Sequence, residues 1–141
     1  MQELIGKIIT GVYLSDDDTR IAFTTETGEA LTYATGGDCC SESWFSDIIA
    51  IHDLLGNQVL EVEEKEEQAA EGTRQGYDII YGYTLKTVQG RCDVNFRNSS
   101  NGYYGGSCYF TGASDEDYSA VPGYRSIRED FPFTEQPGQG Q

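Results

Sequence analysis

The stretch CCSESWFSDIIAIHDLLGN, residues 39–57, decides the predicted fold, because it is the one segment with a long helical pattern. Its apolar side chains recur at intervals of three and four residues, the spacing of one helix face. Ser41 and Ser43 are candidate N-caps, and Gly56 is a candidate C-terminal stop. The segment therefore predicts an amphipathic helix that packs across a sheet. The predicted apolar face is Trp44, Ile48, Ile51 and Leu55, with Phe45, Ile49 and His52 in the adjoining row.

Strands are predicted on both sides of this helix. The segment TRIAFTTETGEALTYAT predicts a hairpin around ETGE, and YDIIYGYTLKTVQGRCDVNFRNSSN predicts another around VQGR. Single strands are expected at the N-terminus, directly after the helix, and in YYGGSCYFTG near residue 108. The segment 67–76 is expected to be an exposed loop.

The predicted fold class is therefore α+β. We expect an antiparallel sheet of about six or seven strands, in the order three strands, one helix, then three or four strands, with the helix packed across it. The chain has 141 residues, the usual size of one domain. Residues 1–112 are predicted to form a single α+β domain. Residues 113–141 are predicted to be an acidic tail, containing Pro and Gly, that is partly disordered.

The charge balance limits the classes of partner. The formal net charge is −15, from 24 acidic and 9 basic side chains. Direct nucleic-acid binding needs clustered Lys and Arg, and so does binding to an anionic membrane surface, so we expect neither. No stretch approaches the roughly 20 apolar residues of a membrane span, and the N-terminus does not resemble a signal peptide. The sequence predicts a cytoplasmic protein whose partner is basic.

Acidic runs identify a candidate surface for that partner. They are either solvated faces that confer solubility or a patch that meets a basic protein. None matches the pattern of a calcium loop, and we predict no metal and no cofactor. The predicted partner-binding acidic patch comprises Glu61, Glu63, Glu64, Glu66, Glu67, Asp115, Glu116 and Asp117.

The stretch FRNSSNGYYGGS, residues 96–107, is a second candidate site. Gly and Asn favour turns, so it would serve as a connection between strands. Alternatively, successive backbone N–H groups would cradle an anion, Arg97 would supply a forked donor, and a Tyr would stack on a base. The hypothesis is a site for a nucleotide-like small molecule. Its predicted ligand-binding residues are Arg97, Asn98, Ser99, Asn101, Tyr103 and Tyr104.

Four cysteines allow a third hypothesis. Cys39 and Cys40 precede the predicted helix, whose positive N-terminal end would favour a thiolate nucleophile. The single histidine, His52, would lie roughly 18 Å along the helix axis, too far to act as its base. None of the four thiols has the paired spacing of zinc sites, although Cys92 and Cys108 on neighbouring strands would allow a site assembled by the fold. We therefore predict no catalytic residue.

Two motifs carry a resemblance to a known family. At GGDCCSESWFSDI (residues 36–48) and YGYTLKTVQGRCDVNFRNSSNGYYGGS (residues 81–107), the chain resembles a domain-of-unknown-function family of small acidic proteins encoded by bacteriophages and prophages. The likeness covers roughly residues 5–110 and leaves out the acidic tail. It implies a small phage-type α+β domain and implies no catalytic residue.

These observations support three functional hypotheses. The first is a non-enzymatic phage-type accessory protein in the bacterial cytoplasm, which binds and inhibits a host defence or nucleic-acid-processing protein through its acidic surface. The alternative is a sponge that sequesters a nucleotide-like signal with the 96–107 loop. The third is a Cys-dependent enzyme. The sequence leaves the oligomeric state open.

Overall fold

Ten β-strands account for nearly all of the regular structure in the part of the chain that the structure describes. The computed structural model describes residues 1–37, 40–102 and 105–132. Two short 3₁₀ turns, Gln2–Leu4 and Ile51–Asp53, are the helical elements in these ranges. The strands are β1 (Ile9–Ser15), β2 (Arg20–Thr25), β3 (Ala30–Gly37), β4 (Ser41–Ile49), β5 (Glu61–Glu64), β6 (Gln68–Glu71), β7 (Tyr77–Thr87), β8 (Gly90–Ser100), β9 (Gly106–Ser114) and β10 (Tyr124–Ser126).

The strands form two antiparallel sheets of five strands each. The first sheet has the order β10-β1-β2-β3-β9. The second has the order β4-β8-β7-β5, and β6 pairs with β7 further along the same strand. Every pairing in both sheets is antiparallel, as expected when consecutive strands are joined by short turns.

One hydrophobic core lies between the two sheets. Both sheets contribute fully buried side chains to it, so the sheets pack face to face as the layers of a sandwich. The first sheet supplies Val12, Leu14, Ile21, Phe23 and Tyr33, and the second supplies Phe45, Ile48, Leu85, Val94 and Phe96.

The prediction of an amphipathic helix is wrong, and with it the α+β class. Residues 41–49 form strand β4, which pairs with β8 over its length. The strand ends at Ile49. Ala50 follows with a left-handed φ of 64°, and a single 3₁₀ turn comes next. Within the described residues the fold is nearly all β, so the element predicted to cross one sheet is instead an edge strand of a second sheet.

A β-bulge explains why this strand has a helical pattern. The pairing places Phe45 opposite Phe96 and Asp47 opposite Asn95, so Ser46 is an extra residue in β4. An extra residue shifts the alternation of side chains by one position. Phe45 and Ile48 therefore both face the core although they are three residues apart, which is also the spacing of a helix face.

The two predicted hairpins are confirmed. Strands β2 and β3 pair across the ETGE turn, and β7 and β8 pair from Tyr77 with Ser100 to Thr87 with Gly90. The second hairpin extends further than predicted, because β8 continues through Ser100. The segment predicted as a loop at 67–76 contains β6.

The described residues beyond 112, as far as 132, contact the rest of the chain. Strand β9 continues to Ser114, and β10 pairs with β1. Ile127 lies in the core and donates its N–H to the carbonyl of Val12 at 2.8 Å. Residues 133–141, the end of the predicted tail, lie outside the described residues. In the described ranges no helix is long and apolar enough to cross a membrane.

The adjacent isoleucines of β4 test the strand assignment. Ile48 is fully buried and Ile49 is 46% exposed, whereas a helix would place both on its apolar side. We expect Ile48→Ala to lower the free energy of unfolding by about 2–5 kcal/mol and Ile49→Ala by less than about 1 kcal/mol. Urea denaturation of the two variants measures the difference. Equal losses at both positions would contradict the assignment.

Candidate functional site

The residues of the predicted nucleotide cradle lie mostly within a strand. Arg97, Asn98 and Ser99 belong to the last part of β8, which pairs with β4 on one side and β7 on the other. Asn101 follows the end of this strand. The remaining two predicted residues, Tyr103 and Tyr104, lie outside the described residues.

Arg97 forms an ion pair with a buried carboxylate. Its Nε donates to Oδ2 of Asp78 at 2.8 Å, and Asp78 is fully buried. Thr73 donates to the same carboxylate through its backbone N–H at 3.2 Å and its hydroxyl at 2.6 Å. Burial alone would raise the pKa of Asp78, but hydrogen bonds from Ser99, Thr73 and Arg97 hold it below its ordinary value.

The other cradle residues also make internal hydrogen bonds. Asn98 accepts from the Ser43 hydroxyl at 2.7 Å. Ser99 accepts from the backbone N–H of Gln75 at 2.8 Å, and Asn101 accepts from that of Gly76 at 2.9 Å. The first bond joins β4 to β8, and the other two attach the segment before β7 to the end of β8, so the polar side chains stabilise the fold.

A small depression lies beside the end of β8. It has a volume of about 300 Å³ and is lined by Gly76, Tyr77, Asn101 and Gly102. Of the described cradle residues, Asn101 is the one that lines it. Nucleotide binding by the 96–107 segment stays a prediction.

The cysteines lie in different surroundings from those predicted. Because residues 41–49 form a strand, no helix N-terminus lies beside Cys40, and Cys39 lies outside the described residues. Burial, with Asp93 nearby, raises the pKa of Cys92 to about 12. Burial also raises the pKa of Cys108 to about 12. Both thiols therefore stay protonated at neutral pH.

The remaining candidates for chemistry are dispersed. His52 lies in the second 3₁₀ turn, largely exposed, with its Nε2 3.6 Å from a carboxylate oxygen of Glu129. Among the residues that the structure describes, no group of three or more His, Cys, Asp or Glu side chains could hold a metal ion.

An open groove lies between the two sheets. Its volume is about 730 Å³. One side is the start of β9, from Gly106 to Cys108, and the other is the segment 64–67, which begins at the last residue of β5. The groove therefore lies where an edge of the first sheet meets an edge of the second.

Aromatic rings form the floor of this groove. Tyr81, Tyr83 and Phe96 all line it. The rings of Tyr81 and Phe96 are stacked, with centroids 4.8 Å apart and planes 8° apart. The Tyr81 hydroxyl accepts the backbone N–H of Gly106 at 2.9 Å, which ties the floor to β9. Burial, with Glu64 nearby, raises the pKa of Tyr83 to about 12.

Three carboxylates form the acidic side of the groove. Glu64, Glu66 and Glu67 are exposed, and none has a salt bridge to another described residue. Lys65 lies between them in sequence, but its ammonium group contacts Asp93 Oδ2 at 3.3 Å and Asn95 Oδ1 at 3.0 Å. The positive charge in this run is therefore already paired.

The other residues of the predicted acidic patch differ from these three. Glu61 and Glu63 both contact Lys86, at 3.4 Å and 3.3 Å. The exposed run 115–117 follows β9, and Asp117 accepts hydrogen bonds from Ser119. Sequence reasoning identified the acidic residues but missed the aromatic floor. The sequence does contain a signal for it, because Tyr81 and Tyr83 are two residues apart on one strand and therefore lie on the same face.

Comparison with protein families matches residues 2–110 to the domain of unknown function DUF7448. The chain belongs to this family. The match confirms membership of a domain-of-unknown-function family and includes the floor and both sides of the groove. Comparisons with curated proteins and with solved structures each give no match.

Arg97 is expected to contribute to the stability of the DUF7448 domain. Arg97→Ala leaves the buried Asp78 carboxylate without its cation, and Arg97 is 22% exposed. We expect a loss of about 2–3 kcal/mol in the free energy of unfolding at pH 7. The exposed Asn101, changed to Ala, is the control and should cost less than about 1 kcal/mol.

The effect of Arg97→Ala should also depend on pH. The folded-state pKa of Asp78 is lowered, so its ionised form stabilises the fold above the unfolded pKa of about 3.9. That contribution is lost as the pH falls through the folded pKa. The difference between variant and wild type should be largest at neutral pH and shrink in acid. A difference that grows on acidification would contradict the ion pair's role.

Proposed function

We propose that this domain is a non-enzymatic binding protein that engages a basic partner protein through its acidic surface. The observation that carries the proposal is the set of three carboxylates beside an aromatic groove, which have no salt bridge among the described residues. Glu64, Glu66 and Glu67 do not have to exchange an internal cation before a Lys or Arg of the partner approaches. The net charge of −15 adds long-range attraction for such a partner.

The aromatic floor supports protein recognition. Binding surfaces combine apolar or aromatic contact at the centre with charge at the rim. Tyr81 and Tyr83 provide partly exposed rings, and the segment 64–67 provides the charged rim. The rings also attract the ammonium or guanidinium groups of a basic partner through cation–π contact. The groove thus offers both an aromatic contact surface and negative charge, the two features that favour binding of a basic protein segment.

Phage origin and the identity of the target belong to the same proposal. The resemblance to small acidic phage and prophage proteins suggests an accessory protein made in the cytoplasm of a bacterial host. Host defence and nucleic-acid-processing enzymes carry basic grooves for phosphate backbones. An acidic surface placed in such a groove would block the substrate. We therefore propose inhibition of an enzyme of this kind.

The acidic runs 64–67 and 115–117 allow a matched test of whether the groove binds a basic partner. The test variant combines Glu64→Gln, Glu66→Gln and Glu67→Gln. The control variant combines Asp115→Asn, Glu116→Gln and Asp117→Asn, which removes the same charge elsewhere. We expect the test variant to bind a fluorescent Lys- and Arg-rich peptide about tenfold more weakly at low salt, and the control less than about threefold. Fluorescence anisotropy measures both affinities.

Salt dependence is part of the same measurement. Wild-type affinity should fall as the salt concentration rises from 0.05 M to 0.5 M, because exposed charges are screened. The test variant should show a shallower dependence. No binding of the peptide, or binding with no response to salt, would overturn the proposal.

The inhibitory role is testable in cells. In a bacterial host whose defence system restricts a phage, production of the protein should raise the efficiency of plating of that phage. The groove variant should lose most of this gain, and the control variant should keep it. If the groove variant raised the efficiency of plating as much as the wild type, inhibition through this surface would be contradicted.

A further inference from the structure

We propose that the groove receives an extended, basic segment of the partner, which adds as a further strand to the outer edge of β9. This inference rests on the proposed function, since it takes the partner to be basic. It goes further in naming the recognised conformation and the strand that recognises it.

Strand β9 is an edge strand among the described residues. It pairs with β3 on one side, and no described strand pairs with its other side. The N–H of Thr35 donates to the carbonyl of Thr19, so the backbone groups of Thr35 face β2. Cys108 lies opposite Thr35, and its own backbone groups therefore face away from β3.

The same alternation applies two residues further along. Phe110 lies opposite Tyr33, which pairs with Ile21 of β2, so its backbone groups also face outward. The backbone groups of Gly106, two residues before Cys108, face outward as well, and the Gly106 N–H already donates to the Tyr81 hydroxyl. The outer edge thus presents backbone donors and acceptors at Cys108 and Phe110 for pairing with an extended segment.

This edge lacks the usual protection against pairing. Natural edge strands carry charged residues, especially Lys, or Pro, and β9 has neither. A bulge at Thr111 shifts the register only after Phe110. Tyr109 is 51% exposed and Phe110 is 39% exposed, so apolar side chains accompany the free backbone groups. An exposed edge of this composition favours strand addition.

Charge selects which strand is added. A second copy of the chain would bring another net charge of −15 to the edge, which opposes pairing between copies. Glu64, Glu66 and Glu67 lie across the groove from the start of β9. A segment paired with β9 would lie between the two, so Lys or Arg side chains on it reach the carboxylates.

The pleat of the added strand sets its sequence pattern. Successive side chains of a strand point to opposite faces, so every second residue would face the aromatic floor. Tyr81 and Tyr83 favour apolar or aromatic side chains there. The remaining positions favour Lys or Arg. The expected recognition motif is an extended alternation of apolar and basic residues.

The experiment uses the full-length protein and two synthetic peptides. The probe is a capped ten-residue peptide of alternating Lys and Val. Its control is the same peptide with every backbone nitrogen methylated, which keeps the charge and removes the donors. We expect the methylated peptide to bind at least about tenfold more weakly, because several strand hydrogen bonds are lost.

Hydrogen exchange in the wild-type protein locates the contact. The backbone amides of Cys108 and Phe110 should exchange rapidly in the free protein and become protected by the Lys-Val peptide. Cys108→Pro removes one outward donor, and Cys108→Ala keeps it. The Pro variant should bind about three- to tenfold more weakly than the Ala variant. The exchange measurement needs no variant, so it holds even if the Pro variant is unstable.

The outcomes separate this inference from the proposed function. Equal binding of both peptides, with no protection of the two amides, would overturn strand addition and leave the acidic surface as the binding site. Dimerisation through β9 without peptide would assign the edge to a second copy and also overturn the inference. Failure of both peptides to bind at low salt would overturn the proposed function itself.

Discussion

The second sheet depends on the pairing of β8 with a partner on each side. β7 pairs with β8 from Gly90 to Ser100, and β4 pairs with it from Asp93 to Ser100, so the polar side chains of β8 from Asp93 onward are flanked by two strands. Arg97 reaches the buried Asp78 because of this arrangement, and Phe96 is held beneath Tyr81. The same pairing that satisfies the buried polar groups therefore also builds the floor of the groove.

Much of the chain could be predicted because local chemistry determines it. The two hairpins have turn residues between alternating runs, and both are present. β4 could not be predicted in this way. The extra residue Ser46 gives a strand the three-residue spacing of a helix, and pattern alone does not separate the two. The error in one element changed the predicted class, because the predicted single sheet is in fact two.

The candidate site was predictable in part. Its carboxylates are evident from the acidic run that ends at Glu67, since charge is read directly from composition. That Glu63 has a salt bridge and Glu64 has none among the described residues was not evident, because this depends on where Lys86 lies. The groove was not evident either, because it is formed by sheet edges that are distant in sequence. Arg97 and Asn98 resembled a ligand cradle because the side chains that satisfy buried polar groups are also those that bind ligands.

The uncharged outer edge of β9 also affects the colloidal behaviour of the protein. At neutral pH the repulsion between like-charged molecules keeps these edges apart. The composition predicts an isoelectric point of about 4.1, and near that pH the repulsion vanishes while the exposed backbone groups and the ring of Tyr109 remain. The acidity of the chain therefore opposes association through this edge at neutral pH, and a buffer near pH 4.1 removes that opposition.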